Sequence, residues 1–291
     1  MKLFFLLLFC LLFSFGSIAQ ASYTGYIDKY PIELLTDVQS DGVARGIYVY
    51  TKYDEPIVID GKLENGILSL FEKDKDGSNK ASLVFENFDA KNSSLQGVWN
   101  DFATGRQLDI SLKKALDIDY GHYIEWTQKE TIQPYSLKDH YLKLVVSKQK
   151  DDFFARVTAV KILQKKTDKL LQEIVVDCQL WGLDNISVGD FNFDGQQDFC
   201  IFEASYAGPN TTSLYFLFNP KTGKYFESGF AGTSLEFDHK NKRIYEHNQC
   251  CAGRSHVNAE YKVVDNKMLL IKQTCLEYDE TIDELKEVKC E

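Results

Sequence analysis

Cysteine is missing from most of this chain: apart from Cys10, none of the seven cysteines precedes Cys178. Any disulfide framework is therefore confined to the C-terminal part, and the first half must hold together by its apolar core alone. Proline is scarce as well, five in 291 residues beside 18 glycines, which excludes collagen-like and low-complexity chains. Basic charge is in deficit: 33 Lys and Arg face 43 Asp and Glu, a formal net charge of −10. A protein that tracks nucleic-acid phosphates needs the opposite balance, so no nucleic-acid partner is expected. There is no Gly-rich phosphate loop and no Ser elbow, which removes the signatures of phosphoryl transfer and of serine hydrolysis. What is present, 44% hydrophobic and 13% aromatic residues, excludes wholesale disorder and suits one large or two modest domains.

Long apolar runs are also missing, with one exception at the start. Lys2 is the only charge before an almost wholly apolar run from Leu3 to Phe15, which ends in Gly16-Ser17-Ile18-Ala19-Gln20-Ala21. A basic start, a short apolar stretch and small residues read as a secretory signal peptide over residues 1–21, with cleavage after Ala19 or Ala21. The run is shorter than the about 20 residues of a membrane helix, so no transmembrane segment is expected in the mature chain. Cys10 follows Leu7-Leu8-Phe9, whereas a lipoprotein cysteine follows a small residue. The expected location is the periplasm, and loss of Lys2 with the signal takes the net charge to −11.

Short strands and turns fill the rest. Gly46–Tyr50, Ile57–Ile59, Gly66–Leu70, Leu83–Phe85, Gly97–Trp99 and Leu108–Leu112 recur at intervals of roughly ten residues, the spacing of an antiparallel sandwich or barrel. No window is a convincing amphipathic helix. The expected fold is all-β: a small antiparallel barrel or sandwich over residues 22–114, an irregular linker over 115–140 that contains Pro134, and a propeller-like β domain over 141–291. Strands are expected there at Tyr141–Val146, Ala155–Leu163, Leu170–Val176, Ser213–Phe218, Val257–Val264 and Met268–Thr274. Two hairpins resemble each other, one turning through Thr167-Asp168 and the other through Thr222-Gly223. Repeated strand–turn–strand units of this kind build propeller blades.

Six cysteines in an exported chain suggest disulfides, in any of fifteen pairings. Register selects one of them. A hairpin centred between Ile282 and Asp283 sets Cys275 opposite Cys290, within bridging range. Cys178, Cys200, Cys250 and Cys251 retain three connectivities.

Asp190-Phe191-Asn192-Phe193-Asp194-Gly195-Gln196-Gln197-Asp198 reads D-x-N-x-D-G-x-x-D. Oxygen-bearing side chains at positions 1, 3, 5 and 9 can converge on a hard cation, with the Gln196 carbonyl at position 7 and Gly195 at the sharp turn. Three carboxylates and an amide oxygen select Ca2+ over zinc or copper. Position 12 is Ile201, so the loop is not a full EF-hand. The alternative is a plain turn that uses Asp, Asn and Gly for their backbone preferences, but three crowded carboxylates repel one another unless a cation screens them.

Other constellations are weaker. His247, Cys250, Cys251 and His256 have zinc-type side chains, but cysteines in an exported chain are expected to be oxidised. A Cys–His nucleophile pair fails for the same reason. The stretch Ser205–Thr212 places Tyr206 and Asn210 among small residues, and Tyr is enriched at binding hot spots. These two are the candidate partner-binding residues.

The N-terminal part, with Tyr30-Pro31-Ile32, Gly46–Tyr50 and Gly97-Val98-Trp99, resembles a small β domain common in exported bacterial proteins. Ser187–Phe199 looks like the calcium-loop repeat of integrin-type propellers. With Tyr206, the Asn219-Thr222-Gly223 hairpin and Cys250-Cys251-Ala252-Gly253, the region Tyr141–Glu291 resembles bacterial periplasmic immunity proteins that inhibit lysozyme-like toxins of type IV secretion systems. The resemblance implies calcium ligands at Asp190, Asn192, Asp194, Gln196 and Asp198. It also implies a lysozyme-like hydrolase or another secreted protein as partner, and a non-enzymatic role. The alternative is a calcium-stabilised extracellular binding or adhesion module without inhibitory activity.

Overall fold

A computed structural model describes residues 19–51, 55–118, 125–206 and 209–290. Most of the expected signal peptide, residues 1–18, lies outside the described residues. The first eight strands are β1 (Ala19–Ile27), β2 (Tyr30–Val38), β3 (Val43–Tyr50), β4 (Ile57–Glu64), β5 (Ile67–Lys73), β6 (Asn79–Phe85), β7 (Ser94–Asp101) and β8 (Gln107–Ile118). Each pairs antiparallel with the next, and β1 pairs back onto β8, which closes a barrel. Closure removes the open edges that a sheet would otherwise present. Period-two alternation aims Tyr23, Leu34, Tyr48, Ile59, Leu70, Leu83 and Ile110 into one apolar core. Tyr48 and Glu72 are also buried, and the Tyr48 hydroxyl donates to Glu72 Oε2 at 2.8 Å. Ala19–Ala21 form the first rungs of the barrel, opposite Val38, Asp37 and Thr36. Of the two cleavage positions, only the one after Ala19 leaves the buried Gln20 and Ala21 in place.

A bulge joins the barrel to the neighbouring sheet. Ala115 is an extra residue in β8 opposite the Ser22–Tyr23 step. A bulge re-aims the side chains beyond it, and Leu116 and Ile118 accordingly belong to the core of that sheet. The expected linker, residues 115–140, is thus corrected: it holds the end of β8 and all of β9 (Trp126–Ser136). Pro134 sits in β9, an edge strand, between the rungs at Ile132 and Ser136 where the register slips. An edge position with a register break asks no ladder N–H of proline, so the residue does not prevent the strand.

The remaining strands form three consecutive meanders, as expected of a propeller-like region. The first comprises β9, β10 (His140–Lys148), β11 (Arg156–Gln164) and β12 (Lys169–Gln179). The second comprises β13 (Ile186–Gly189), β14 (Asp198–Ser205), β15 (Thr211–Asn219) and β16 (Lys224–Glu227). The third comprises β17 (Glu236–Asp238), β18 (Arg243–Cys250), β19 (Ser255–Val264), β20 (Lys267–Asp279) and β21 (Glu284–Val288). The middle sheet is covered on both faces. Phe199, Ile201 and Phe216 pack into the core shared with the first sheet. Cys200, Tyr215 and Leu217, one position out of phase, pack into the core shared with the third. That double burial is why Phe199–Phe202 reads as a continuous apolar run.

The barrel rests on the first meander and on the link that follows it, through Leu35, Ile47 and Val49, which meet Ile132 of β9 and Leu183 of the β12–β13 link. Charge pairs flank this contact: Lys143 Nζ to Glu33 Oε2 at 2.7 Å and Arg45 to Asp184 at 2.8 Å. Cys275 and Cys290 are bridged, with Cα atoms 5.3 Å apart. The register differs from the expected one by two residues, because Asp279 pairs with Glu284 and Cys275 therefore faces Val288. Cys290 reaches its partner from just beyond the ladder.

Candidate functional site

Two places carry the sequence-derived candidates. The first is the loop between β13 and β14. Gly189 ends one strand and Asp198 starts the next, directly opposite each other, so the eight residues between them must fold back sharply. Phe193 and Gly195 do so with φ of 64° and 85°, the left-handed region that glycine enters freely. The polar side chains cap the loop's own backbone. Asp190 accepts from the N–H groups of Asp194 (2.9 Å) and Gly195 (2.8 Å), Asn192 Oδ1 from Asp194 N–H (3.2 Å), and Asp194 Oδ1 from Gln196 N–H (2.8 Å). Asn192 also donates to Asn266 in the β19–β20 turn at 2.9 Å, which fastens the loop to the third sheet.

Asp198 is placed differently. Its side chain is fully buried, and its two oxygens accept from Phe191 N–H (2.9 Å) and Phe218 N–H (2.8 Å). Burial pushes its carboxyl up to about 6; the two backbone hydrogen bonds oppose that shift, and the nearby Asp194 and Asp190 add to it. Gln196 is exposed. Among the described residues no three Asp, Glu, His or Cys side chains stand together as ligands of a metal ion. The donor chemistry nevertheless fits a hard cation. The Asp190 and Asn192 oxygens converge on one N–H group, and a carboxylate that accepts two hydrogen bonds keeps further lone pairs. Asp190, Asn192 and Asp194 are brought together in the loop, and Asp198 is held beneath them as a strut to β15.

The loop also touches the first meander: Lys138 N–H donates to Gln197 at 2.9 Å. A cleft of about 840 Å³ opens here, with His140 and Lys165 in its wall. Lys165 is already bonded to Glu55 (2.5 Å) and Ser136 (3.0 Å), and desolvation holds His140 below its usual value.

The second place is the rim formed by β18, the turn after it and the start of β15. Tyr206 is 57% exposed. Asn210, expected as a contact residue, is instead a buried anchor. Its Nδ2 donates to Asn248 Oδ1 (3.1 Å) and the Gln249 carbonyl (2.8 Å), and its Oδ1 accepts from Gln249 N–H (3.1 Å). An amide that completes the backbone needs of a neighbouring strand is spent on structure.

None of the three connectivities left open is realised in full: Cys250 and Cys251 are bridged to each other, while Cys178 and Cys200 remain free thiols in separate cores. Burial pushes both free thiols up to about 12, so neither supplies a thiolate. Oxidation likewise removes Cys250 and Cys251 from any zinc set with His247 and His256. His247 pairs with Asn258 (3.0 Å) and His256 with the Gly253 carbonyl (3.0 Å). The residues that sequence reasoning passed over are Asn248 and Gln249. Their only signal was proximity to the adjacent cysteines.

No family model matches the chain, and no curated protein matches it. Solved structures with overall likeness include a Xanthomonas type IV secretion system related protein, 11% identical, covering 94% of this chain and 100% of that one, with a TM-score of 0.27. A protein from Lactobacillus plantarum is 11% identical over 93% of this chain and 95% of its own, with a TM-score of 0.27. The β-propeller domain of the trilobed protease from Pyrococcus furiosus, of open velcro topology, is 12% identical over 94% and 86%, with a TM-score of 0.26. Scores of this size carry no argument about function.

Proposed function

We propose that this chain is an exported, non-catalytic periplasmic protein that inhibits a lysozyme-like peptidoglycan hydrolase by occluding its active site. The supporting observation is the rim: an exposed aromatic, Tyr206, donates its backbone N–H to the carbonyl of Asn210 at 3.0 Å, and Asn210 is buried and bonded to β18. A large side chain whose backbone is already hydrogen-bonded binds with a smaller ordering cost. The net charge of −10 would also steer the chain toward a basic hydrolase. Lysis of cell walls by lysozyme-type hydrolases should fall with added mature protein. Tyr206→Ala should weaken inhibition by about 30-fold, the value of a roughly 2 kcal/mol hot spot. A tight complex that leaves the hydrolase active on small substrates and on cell wall alike overturns the proposal.

The same reading includes calcium in the β13–β14 loop, held by Asp190, Asn192, Asp194 and the Gln196 carbonyl above the Asp198 strut, where the ion would neutralise crowded carboxylates. Calcium should then raise the stability of the unaltered chain by about 1.4–2.7 kcal/mol at 10 to 100 times Kd. Asp190→Ala should abolish that gain while altering stability in chelator far less. Thermal unfolding of both proteins with calcium and with chelator reads the difference, and equal losses in both conditions would make the loop a metal-free turn.

The second reading, a calcium-stabilised binding or adhesion module, draws on the uncharged lining of the rim. It predicts ligand binding with no effect on wall hydrolases.

A further inference from the structure

The rim encloses a pocket of about 450 Å³, lined by Tyr206, Asn210, Asn248, Gln249 and the bridged Cys250–Cys251 with a few small neighbours. Its volume falls in the range of small-molecule sites, about 300–1,000 Å³. Among the described residues no charged side chain lines it, in a chain where 26% of residues are charged. A carboxylate or phosphate ligand would lack a cation to meet it, and a cationic ligand would lack an anion.

The polar groups exclude a wholly apolar ligand too. Asn248 Oδ1 is taken by Asn210, but Asn248 Nδ2 and the Gln249 side-chain amide have no protein partner among the described residues. The Gln249 amide lies over the turn, with Nε2 2.8 Å from where a β-carbon on Gly253 would sit. Covering these amides with hydrocarbon would strand their donors. The apolar surface stands beside them, as the Tyr206 ring and the exposed sulfur and methylene atoms of the cysteine pair. The bridge closes a ring across one peptide unit, and Cys251, Ala252 and Gly253 hold φ of 58°, 55° and 83° in succession. The cysteine part of that surface is therefore fixed before any ligand arrives.

A ligand that satisfies all of this is uncharged, has one apolar face and carries hydroxyl or amide groups on its edge. We infer that this pocket binds a neutral sugar ring, with Tyr206 and the Cys250–Cys251 bridge against its apolar face and the Asn248 and Gln249 amides at its polar edge. The inference does not rest on hydrolase inhibition, because it concerns a ligand taken by the chain alone.

The test is a titration of the isotopically labelled mature protein, followed by amide resonances, with N,N′-diacetylchitobiose and separately with maltose. Glycerol serves as the control polyol. Saturable shifts confined to Tyr206 and to residues 248–253, with a Kd of roughly a millimolar for at least one sugar, are expected. The sugar that binds identifies the edge chemistry, acetamido or hydroxyl. Tyr206→Ala should weaken binding by about tenfold, the value of one aromatic contact. Asn248→Ala, which leaves the turn and its bridge untouched, should weaken it as well. Absence of shifts at these residues with both sugars overturns the inference, as do equal shifts with glycerol or binding that neither substitution alters. Hydrolase inhibition without sugar binding, or the reverse, separates this site from the proposed function.

Discussion

Gly61→Ala should remove a large part of the stability of the barrel. A β-carbon at position 61 would lie 1.8 Å from the Ser69 carbonyl oxygen, 2.8 Å from its carbon and 2.9 Å from Leu70 Cα. All three are backbone atoms of the adjacent strand β5, opposite which Gly61 sits in register with Leu70. No side chain can swing aside, so the two strands must part or the barrel must change its curvature. Overpacking of a core typically costs about 1–3 kcal/mol; a collision with backbone belongs above that range, at roughly 4 kcal/mol, out of a total of about 5–15 kcal/mol. Gly66 supplies the control. It occupies the Asn65-Gly66 turn between β4 and β5 at φ +77°, with nothing within 4 Å of a built β-carbon. Gly66→Ala suffers only conformational strain, about 1 kcal/mol. Urea unfolding of the two variants side by side distinguishes collision from strain. A Gly61→Ala midpoint equal to that of Gly66→Ala would mean that the strands are not so closely apposed.

Asp198→Ala is the second large effect, and it acts in the other half of the chain. The substitution removes both acceptors of the Phe191 and Phe218 N–H groups, in a position fully shielded from water. Each buried donor left unpaired costs about 1–3 kcal/mol, so a loss of roughly 3 kcal/mol is expected in chelator and in calcium alike. Asp198→Asn keeps one acceptor oxygen and removes the poorly solvated charge, and should lose about half as much. Asp190→Ala, by contrast, should be sensitive to calcium. Denaturant melts of the three variants therefore separate the strut from the ligand. Equal behaviour of Asp198→Ala and Asp190→Ala would show that position 198 does nothing beyond hold the cation.

The strands are legible where one face is wet. Leu108–Leu112 alternates because that stretch of barrel wall has a buried inside and an exposed outside, whereas Gly46–Val49 is buried on both sides, by the barrel core and by the contact at Ile132 and Leu183; the hairpins at Thr167-Asp168 and Thr222-Gly223 announce themselves by turn chemistry. Two features escape for opposite reasons. Ala19-Gln20-Ala21 reads as leader because small residues satisfy a processing site and a close strand pair equally well. Residues 115–140 read as a linker because a bulge at Ala115 and a proline at 134 each break the periodicity that marks a strand, although neither breaks the strand. In the site, the spacing of Asp190, Asn192 and Asp194 is enough to place them in one loop. It cannot show that Asp198 turns inward, since that depends on the Phe218 N–H group twenty residues away. Tyr206 is readable as a lone aromatic among small residues. Asn210 is not readable as an anchor, because its partners lie on β18, a strand with no clean alternation of its own.

Barrel closure also sets an order of events during synthesis. Gln20 lies opposite Ile118, so the first strand has only one neighbour until nearly the whole barrel sequence has emerged. The three meanders differ, because each strand finds its partner in the strand just made. Pairings distant along the chain form more slowly than local ones. A chain arrested shortly before residue 107 would carry two unsatisfied strand edges, β1 and β7, and would be prone to pair with its neighbours. Once β8 has followed, the same chain could seal itself. The vulnerable interval in this protein's birth therefore ends at β8, before the β13–β14 loop, the rim or any disulfide has been made.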